Sequence, residues 1–508
     1  MRRAALKPIA SIVAVAILLC FGLVIWSPWN TGIPLGIVEA DPPQAQGSTP
    51  KEALDELQGS ETSLSADKVA SLWEAVSEAG TQGGWDTWGV VVDSATGETL
   101  LAENTDGTHT PASSVKLLTA FAVMRWLNLD DTLETGTSLA GSTLYLWGEG
   151  DLLLAEGSGN SSAVNGRAGL ADLAEATAES LAAQQVTSVA LVYQDSLFDG
   201  EVKYEGWVLE DVYNYAGEVG PYAIDTGRVS EGAWEFVDSS SAMVAASLAA
   251  SLEEQGITVT SVNVGEIRAG EHGLGEAGTG AIDLATVSSA TVREQINYLL
   301  VNSDNTLAEQ YCHLAAAEAG QESSFSGSTR NVISTLEAAG ISTGGLAMDD
   351  CSGLMGTNQV SAQTYVDLFQ LAAKSLGTDG VDADGTDADG SGLDADAGDS
   401  ASSSPTGASS TVGTASVSVA STAKDLVRLL GLGGVSGTLA DRFTSGAGFA
   451  NVQAKTGSLG VCATLAGVVT TESGHVLMFA IGNDNVPGDA SYYTRGYLDD
   501  FITALAQL

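Results

Sequence analysis

The stretch PASSVKLLTA, residues 111–120, places two serines and a lysine at the start of an otherwise apolar run. Catalysis by a serine nucleophile needs a base beside the hydroxyl and hydrogen-bond donors for the oxyanion that forms. Ser113 and Lys116 are three residues apart, so a helix that begins at Ser113 brings the amine to the hydroxyl. Burial in this helix would lower the pKa of the lysine and let it act as the base. Taken alone, the pattern more often means a capping serine and a lysine that reaches solvent.

Two further polar triplets lie far downstream. Residues 303–305 read SDN between two predicted helical runs, where Ser303 can relay a proton and Asn305 can bind a substrate amide. Residues 455–457 read KTG at the predicted end of a strand, where Lys455 can anchor a carboxylate and the glycine lets a substrate approach the backbone. Each triplet alone is common, and only the three motifs together, in this order, indicate an active site.

The hydrophobic pattern predicts the elements that position these residues. The segment WGVVVDSATGETLLAENTDG predicts a β-hairpin, and residues 114–127 predict a helix buried on nearly every side. Residues 292–376 are mainly helical in pattern. Near the C-terminus the pattern predicts three antiparallel strands and a closing helix, at 452–455, 463–470, 476–481 and 493–505. Strands from both ends of the chain with helices between them favour an α+β fold.

In chain order, Ser-x-x-Lys, Ser-x-Asn and Lys-Thr-Gly resemble the motifs of the penicillin-recognising serine acyl-transferases. The gap of roughly 190 residues between the first two motifs, with SDNTLAEQ, DDCSGLMGTNQVSA, GGVSGTLADRF and AKTGSLGVCATLAGVV, is similar to the class C low-molecular-mass penicillin-binding proteins. These are D-alanyl-D-alanine carboxypeptidases/endopeptidases. The resemblance implies a serine transpeptidase-like (β-lactamase-like) α+β domain with an inserted α/β domain.

The resemblance also assigns the chemistry of the first two motifs. It implies that Ser113 is acylated and that Lys116 is its base. It implies proton relay by Ser303 and contact with the substrate amide by Asn305. The partners it implies are peptidoglycan peptides ending in D-Ala-D-Ala, and β-lactam antibiotics acylating the same serine.

The third motif is assigned in the same way. The resemblance implies that Lys455 and Thr456 hold the terminal carboxylate of the substrate, beside Gly457. It implies an oxyanion hole made by the N–H groups of Ser113 and Ser458. Ser458 stands where the family usually has threonine, which should matter little because the backbone N–H is the donor.

Two other departures concern the edge of the cleft. Met355 stands where the family commonly has serine, and Cys351 precedes Ser352. A Cys351–Cys462 disulfide is plausible if both residues line the same cleft wall. Together with Cys312, three cysteines lie beyond the N-terminal segment, and an exported protein can use two of them in one bridge.

Composition excludes several classes of partner. The 508-residue chain carries a formal net charge of −45, which repels nucleic acid. The cysteine spacing matches no zinc pattern and the chain has only 4 histidines, so we expect no metal and no cofactor.

The N-terminus indicates export. Arg2, Arg3 and Lys7 precede an apolar run over residues 9–26, a pattern that sends the following chain across a membrane. The run is long for a signal peptide, so a membrane anchor is favoured over a segment cleaved near residues 38–40. Either way the body is expected outside the cytoplasm, on the cell-wall side, anchored or secreted.

The predicted layout is an N-terminal anchor or signal segment (1–40), a linker (41–67), a catalytic penicillin-binding domain (68–135 and 281–508), an inserted domain (136–280) and a disordered acidic Ser/Gly/Asp-rich insertion (377–422). The acidic insertion has almost no large apolar groups to bury, and it lacks a complete calcium-binding loop. No activity is assigned to it.

Two other functions are compatible with parts of this pattern. A β-lactamase shares all three motifs, but the sequence has no convincing Glu-x-x-x-Asn loop for deacylation, and such chains are far shorter. A non-catalytic wall-binding or penicillin-sensing protein needs no nucleophile, which makes the intact Ser113 and Lys116 an argument against it.

Overall fold

The computed structural model describes residues 64–230, 232–265, 267, 280–376 and 418–508. The predicted N-terminal segment (1–40) lies outside the described residues. Only residues 64–67 of the predicted linker and 418–422 of the predicted acidic insertion are described. Among the described residues, no helix combines the length and the apolar composition needed to cross a membrane.

The described helices are α1 (Ala66–Gly83), α2 (Lys116–Trp126), α3 (Leu170–Ala183), α4 (Ser240–Glu254), α5 (Val292–Asn302), α6 (Asn305–Glu318), α7 (Phe325–Ala338), α8 (Ala362–Leu376), α9 (Val419–Arg428) and α10 (Ser491–Ala506). The described strands are β1 (Asp86–Asp93), β2 (Thr99–Glu103), β3 (Thr108–His109), β4 (Thr132–Ala140), β5 (Thr143–Gly148), β6 (Asp151–Leu154), β7 (Ser188–Tyr193), β8 (Tyr222–Ile224), β9 (Thr258–Val264), β10 (Ile282–Thr291), β11 (Val360–Ser361), β12 (Gly431–Leu432), β13 (Val452–Leu459), β14 (Cys462–Thr470) and β15 (Val476–Asp484).

A six-stranded antiparallel sheet joins the two ends of the chain, as the sequence predicts. Its strand order is β12-β13-β14-β15-β1-β2, and the N-terminal hairpin β1-β2 adds to β15 with Asp86 opposite Asp484. Side chains alternate between the two faces of this sheet. Val91 and its neighbours pack under α1 and α10, where the rings of Trp73 and Phe501 meet edge to face at 5.0 Å.

The opposite face of the sheet packs against a layer of helices. Val90 and Val92 of β1 belong to this second core, together with residues of α2, α5, α6 and α8. Every residue of α2 from Lys116 to Met124 is buried. An apolar surface on all sides is what a helix at the centre of a core requires, so the predicted buried helix is present.

A second sheet lies within the region of the predicted insertion. Its strand order is β10-β4-β5-β7-β9, and leucines of α3 and α4 pack against it. The pairs β5-β7 and β7-β9 are parallel, and each connection contains a helix, as parallel strands require. Because β4 and β10 belong to this sheet, it includes residues on both sides of the predicted boundaries at 135/136 and 280/281.

The disulfide pairing corrects the sequence-based suggestion. Cys351 is bonded to Cys312 of α6, with their Cα atoms 6.4 Å apart, and not to Cys462. Cys462 opens β14 as a buried free thiol, and burial raises its pKa to about 12. The pairing depends on which face of α6 meets the loop at Cys351, which residue spacing does not reveal.

Two predicted boundaries also change. Residues 419–422, predicted as part of the disordered insertion, form the first turn of α9, and the Ser418 side chain caps this helix by accepting from the N–H of Ser421. The first described helix, α1, begins at Ala66, two residues before the predicted start of the catalytic domain.

Candidate active site

Ser113 lies in a single 3-10 turn, Ala112–Val115, immediately before α2. We expected an α-helix to begin at Ser113, but the α-helix begins at Lys116. A 3-10 turn has three residues per turn, so its side chains at i and i+3 are in line. The ammonium nitrogen of Lys116 accordingly lies 3.0 Å from the Ser113 hydroxyl. The preceding Ala112 has φ of 46°, a left-handed conformation that alanine rarely adopts.

Lys116 is fully buried and has three hydrogen-bond acceptors. Its Nζ donates to the Ser113 Oγ at 3.0 Å, to the Asn305 Oδ1 at 2.7 Å and to the Ser352 carbonyl at 2.5 Å. These partners come from the first two sequence motifs and from the loop before β11. The structure therefore brings together Ser113, Lys116 and Asn305, as predicted.

Burial lowers the pKa of Lys116 to about 8. The charges of Asp350, Glu309 and Asp304 act in the opposite direction and favour the ammonium form. The result is an amine that can lose its proton near neutral pH, which is what a lysine base requires.

Two buried carboxyl groups near Lys116 were missed by the sequence reasoning. Glu309 of α6 accepts hydrogen bonds from the N–H groups of Cys351 and Ser352, at 3.0 and 2.7 Å. Burial, with the nearby Asp350, raises the pKa of Glu309 to about 8. Glu309 thus holds the backbone at Cys351 and Ser352, and the Ser352 carbonyl accepts the hydrogen bond from Lys116. The available signal was a glutamate beside the apolar residues of TLAEQ in a segment predicted to be helical.

Asp350 organises the rest of this loop. Its carboxylate accepts from the indole N–H of Trp207 at 2.8 Å, the Gly353 N–H at 2.8 Å and the Asn358 side chain at 2.7 Å. Gly353 has φ of 82°, and a Cβ there would lie 2.0 Å from the Ala112 carbonyl. The loop therefore lies directly against the turn that carries Ser113. Met355, one of the departures noted in the sequence, packs in an apolar cluster with Trp207.

The SDN motif lies between α5 and α6, as predicted. Ser303 ends α5 with φ of 58°, and Asp304 caps α6 by accepting from the Leu307 N–H at 2.9 Å. Asn305 begins α6 and donates from its Nδ2 to the Tyr215 carbonyl at 2.8 Å. Its two amide ends thus connect Lys116 to the segment around Tyr215.

Lys455 is fully buried in the middle of β13, whereas the sequence placed it at the end of a strand. Pairing with β14 continues through Leu459 opposite Cys462, which extends the strand over polar residues. The Lys455 Nζ donates to the Ser303 Oγ and to the Thr456 carbonyl, both at 2.8 Å. Burial, followed by the positive charge of Lys116, holds the pKa of Lys455 well below its usual range.

Gly457 lets β13 lie close against the 3-10 turn that carries Ser113. A Cβ at this position would lie 2.6 Å from the Pro111 carbonyl and 3.0 Å from the Ser114 nitrogen. Thr464 of β14 donates to the same Pro111 carbonyl at 2.8 Å. Ser458 follows with an exposed side chain. The third motif is therefore packed against the first.

The two serines of the opening motif have different surroundings. Ser113 is half-buried beside Lys116, whereas Ser114 is fully buried. The Ser114 hydroxyl donates to the Pro111 carbonyl at 2.7 Å and lies 2.6 Å from the Tyr365 hydroxyl. Ser114 is a packed neighbour, so the hydroxyl available for chemistry is that of Ser113.

The arrangement contains the groups that serine acylation needs: an accessible hydroxyl, a lysine whose pKa is lowered, and a second buried lysine hydrogen-bonded to a further serine. Within the described parts of the chain, no group of three or more His, Cys, Asp or Glu side chains is placed to hold a metal ion.

Comparisons with known proteins agree on one family. The family model for D-Ala-D-Ala carboxypeptidase 3 (S13) matches residues 72–235, 230–377 and 373–505. A carboxypeptidase of Mycobacterium tuberculosis is 28% identical over 433 residues, covering 82% of this chain and 79% of that protein. Carboxypeptidase DacB of Mycolicibacterium smegmatis is 27% identical over 412 residues, covering 78% and 76%.

Among solved structures, penicillin-binding protein 4 (dacB) of Haemophilus influenzae matches with a TM-score of 0.61 at 18% identity, covering 86% of this chain and 98% of that one. This likeness confirms the predicted α+β penicillin-recognising fold. The predicted relationship to the class C low-molecular-mass penicillin-binding proteins, and with it serine-type D-Ala-D-Ala carboxypeptidase activity, is confirmed by the family match. The chain belongs to the D-Ala-D-Ala carboxypeptidase 3 (S13) family.

Proposed function

We propose that Ser113 is the nucleophile of this carboxypeptidase/endopeptidase and that Lys116 is its base. The observation that carries the proposal is the 3.0 Å contact between the Ser113 Oγ and the Nζ of Lys116, a buried lysine whose pKa is lowered. The neutral amine takes the hydroxyl proton as the Oγ attacks the penultimate D-alanine carbonyl. The C–N bond then breaks, the terminal D-alanine leaves with a proton on its amine, and an acyl-serine remains for water to hydrolyse.

The other motif residues take supporting roles in the same proposal. Ser303 passes the proton to the leaving amine, which its contact with Lys455 at 2.8 Å supports. Lys455, Thr456 and Gly457 hold the terminal carboxylate of the peptide. Asn305 contacts the substrate amide.

The oxyanion that forms on the attacked carbonyl is assigned to the N–H groups of Ser113 and Ser458. The close approach of Gly457 to the Ser114 nitrogen supports this placement, because it brings the strand that carries Ser458 against the 3-10 turn that carries Ser113. Two backbone donors of this kind stabilise charge that develops only in the transition state.

β-Lactams are proposed to acylate Ser113 in place of the peptide. The Haemophilus influenzae penicillin-binding protein 4 has been solved in complex with a novel β-lactam, and it matches this chain with a TM-score of 0.57. Because the fold is shared and the motif residues converge, the same class of ligand is expected to fit here.

The N-terminal sequence supports a location on the cell-wall side of the membrane. Arg2, Arg3 and Lys7 before the apolar run favour export, and anchoring through that run is proposed over secretion. Fractionation of cells that express the full chain tests this. Recovery in the membrane fraction supports the anchor, and recovery in the medium contradicts it.

Release of D-alanine from a pentapeptide ending in D-Ala-D-Ala tests the proposed reaction. Wild-type protein and the Ser114→Ala variant should release D-alanine, and the Ser113→Ala variant should not. Rapid hydrolysis of penicillin without release of D-alanine would instead support a β-lactamase. Comparison with a cross-linked peptide dimer separates carboxypeptidase from endopeptidase preference.

A further inference from the structure

A cavity of about 720 Å³ lies beside the candidate active site, and the proposed reaction does not use it. It is lined by residues of the segment that follows β7, among them Lys203, Tyr213, Tyr215, Trp234 and Phe236. A volume of this size accommodates a ligand of several hundred daltons.

The cavity shares a wall with the catalytic residues. Tyr215 lines it, and the Tyr215 carbonyl accepts from the Asn305 side chain at 2.8 Å. Two residues further on, the Gly217 N–H donates to the Thr306 Oγ1 at 2.8 Å. The wall of the cavity is therefore connected to Lys116 through the Asn305 side chain, which contacts both Tyr215 and Lys116.

A second connection runs through Arg228. Its guanidinium lies 3.5 Å from the Asp304 carboxylate and 5.0 Å from the centre of the Phe236 ring in the cavity wall. The cavity is thus attached at two places to the loop that carries the SDN motif, so its occupant is expected to be part of the same substrate.

Exposed aromatic rings are the main apolar surface that the cavity offers. Trp234 is 81% exposed, Tyr215 56% and Tyr213 37%. These three rings are grouped around one cavity, and a ring face with polar groups around it suits a ligand that is apolar on one side and polar on its edge.

The charges of the lining select against an anionic ligand. Asp211, Glu218, Glu235 and Asp238 supply carboxyl groups. In the described lining the positive charge comes from the Lys203 ammonium, which already lies 4.0 Å from the centre of the Tyr213 ring. An uncharged ligand with many hydroxyl donors meets the carboxyl acceptors without this repulsion, whereas the carboxylates of a second stem peptide would be repelled.

We propose that this cavity binds the uncharged saccharide portion of a glycopeptide substrate, with the Trp234 ring against one face of a sugar. The proposal rests on the proposed peptidase function, because it names the part of the peptidoglycan substrate that lies away from the scissile bond. It makes Trp234 a specificity residue and not a catalytic one.

Kinetics on two matched substrates test the proposal. The substrates are a disaccharide-pentapeptide of peptidoglycan and the same pentapeptide without sugars. Wild type should have the higher kcat/KM on the glycopeptide. Trp234→Ala should lower that value by about 2- to 10-fold and leave the free peptide unchanged. Trp234→Phe should retain most of the preference. Tyr493→Ala, which removes a ring that is 79% exposed on α10, should change neither value.

Direct binding separates a failure of this proposal from a failure of the proposed function. Isothermal titration of the peptide-free disaccharide into full-length Ser113→Ala protein needs no hydrolysis, and the added Trp234→Ala change should weaken the binding by about 2- to 10-fold. Equal kcat/KM on both substrates in wild type, or disaccharide binding that Trp234→Ala leaves unchanged, would overturn the proposal. A preference for cross-linked peptide dimers that is lost in Trp234→Ala would assign the cavity to a second stem peptide instead.

Discussion

Two fully buried lysines, Lys116 on helix α2 and Lys455 on strand β13, occupy the candidate active site in different electrostatic surroundings. Both have a lowered pKa because of burial. Near Lys116 the opposing influence comes from carboxyl groups, first Asp350 and then Glu309. Near Lys455 the next influences are the positive charges of Lys116 and Arg442, which lower its pKa further.

This difference separates the roles of the two amines. At Lys116 the effect of burial and the opposing carboxyl groups together give a pKa of about 8. Both protonation states are therefore accessible near neutral pH, which suits a group that takes and returns a proton. Burial and the two neighbouring positive charges make the ammonium form of Lys455 less favourable than it is for a lysine in water. An arriving carboxylate supplies the missing negative charge and favours the ammonium form, so we expect carboxylate binding and proton uptake to be coupled.

Loss of the base should have the largest effect. Lys116→Ala removes the proposed acceptor of the Ser113 proton, and we expect acylation to slow by on the order of 10²- to 10⁴-fold. Stopped-flow acylation by a chromogenic β-lactam measures this rate. Lys68→Ala, which removes an exposed lysine in α1, is the charge-matched control. A Lys116→Ala rate within threefold of wild type would assign the base elsewhere.

Loss of the second lysine should weaken carboxylate recognition. Lys455→Ala is expected to lower kcat/KM for a peptide with a free C-terminal carboxylate by at least about 30-fold, or ~2 kcal/mol. The effect on the C-terminally amidated peptide should be much smaller. Calorimetric titration of the free-carboxylate peptide into Ser113→Ala protein, in buffers of different ionisation enthalpy, should show proton uptake. An enthalpy that does not depend on the buffer would contradict proton uptake by Lys455 on carboxylate binding.

The pH dependence of acylation tests the balance at Lys116. Since the reactive form is the neutral amine and its pKa is about 8, the rate should rise as pH increases and level off above pH 8. Below that value we expect a change of about tenfold per pH unit. Rates measured from pH 5 to 10 locate the midpoint. A rate that falls with increasing pH over this range would require the ammonium form to be the active one.

The disulfide should contribute more to stability than to chemistry. Cys312–Cys351 ties the loop beside Lys116 to α6, across a sequence separation of 39 residues. Replacing both cysteines by serine should lower the free energy of unfolding by ~3 to 4 kcal/mol, as urea denaturation would measure, because the unfolded chain loses a cross-link. Cys462→Ser, which changes the free thiol, serves as the control. A double variant as stable as wild type would show that packing alone fixes the loop.

The sequence allowed prediction of the residues with motif spacing and of the sheet that unites the chain ends. Ser113 and Lys116 could be paired because a separation of three residues has a fixed meaning on one helical turn. Glu309 and Asp350 could not be connected with Lys116, because the sequence around either residue does not indicate which distant side chain it contacts. The Cys312–Cys351 pairing and the central position of Lys455 in β13 could not be predicted for the same reason. Both depend on packing between segments far apart in the chain.

Labelling with a fluorescent penicillin tests the central assignment most directly. Wild-type protein and Ser114→Ala should form a covalent adduct that survives denaturing electrophoresis. Ser113→Ala should form none, because the acyl bond is made through the Ser113 Oγ. Equal labelling of wild type and Ser113→Ala would contradict the account and show that the nucleophile is another residue.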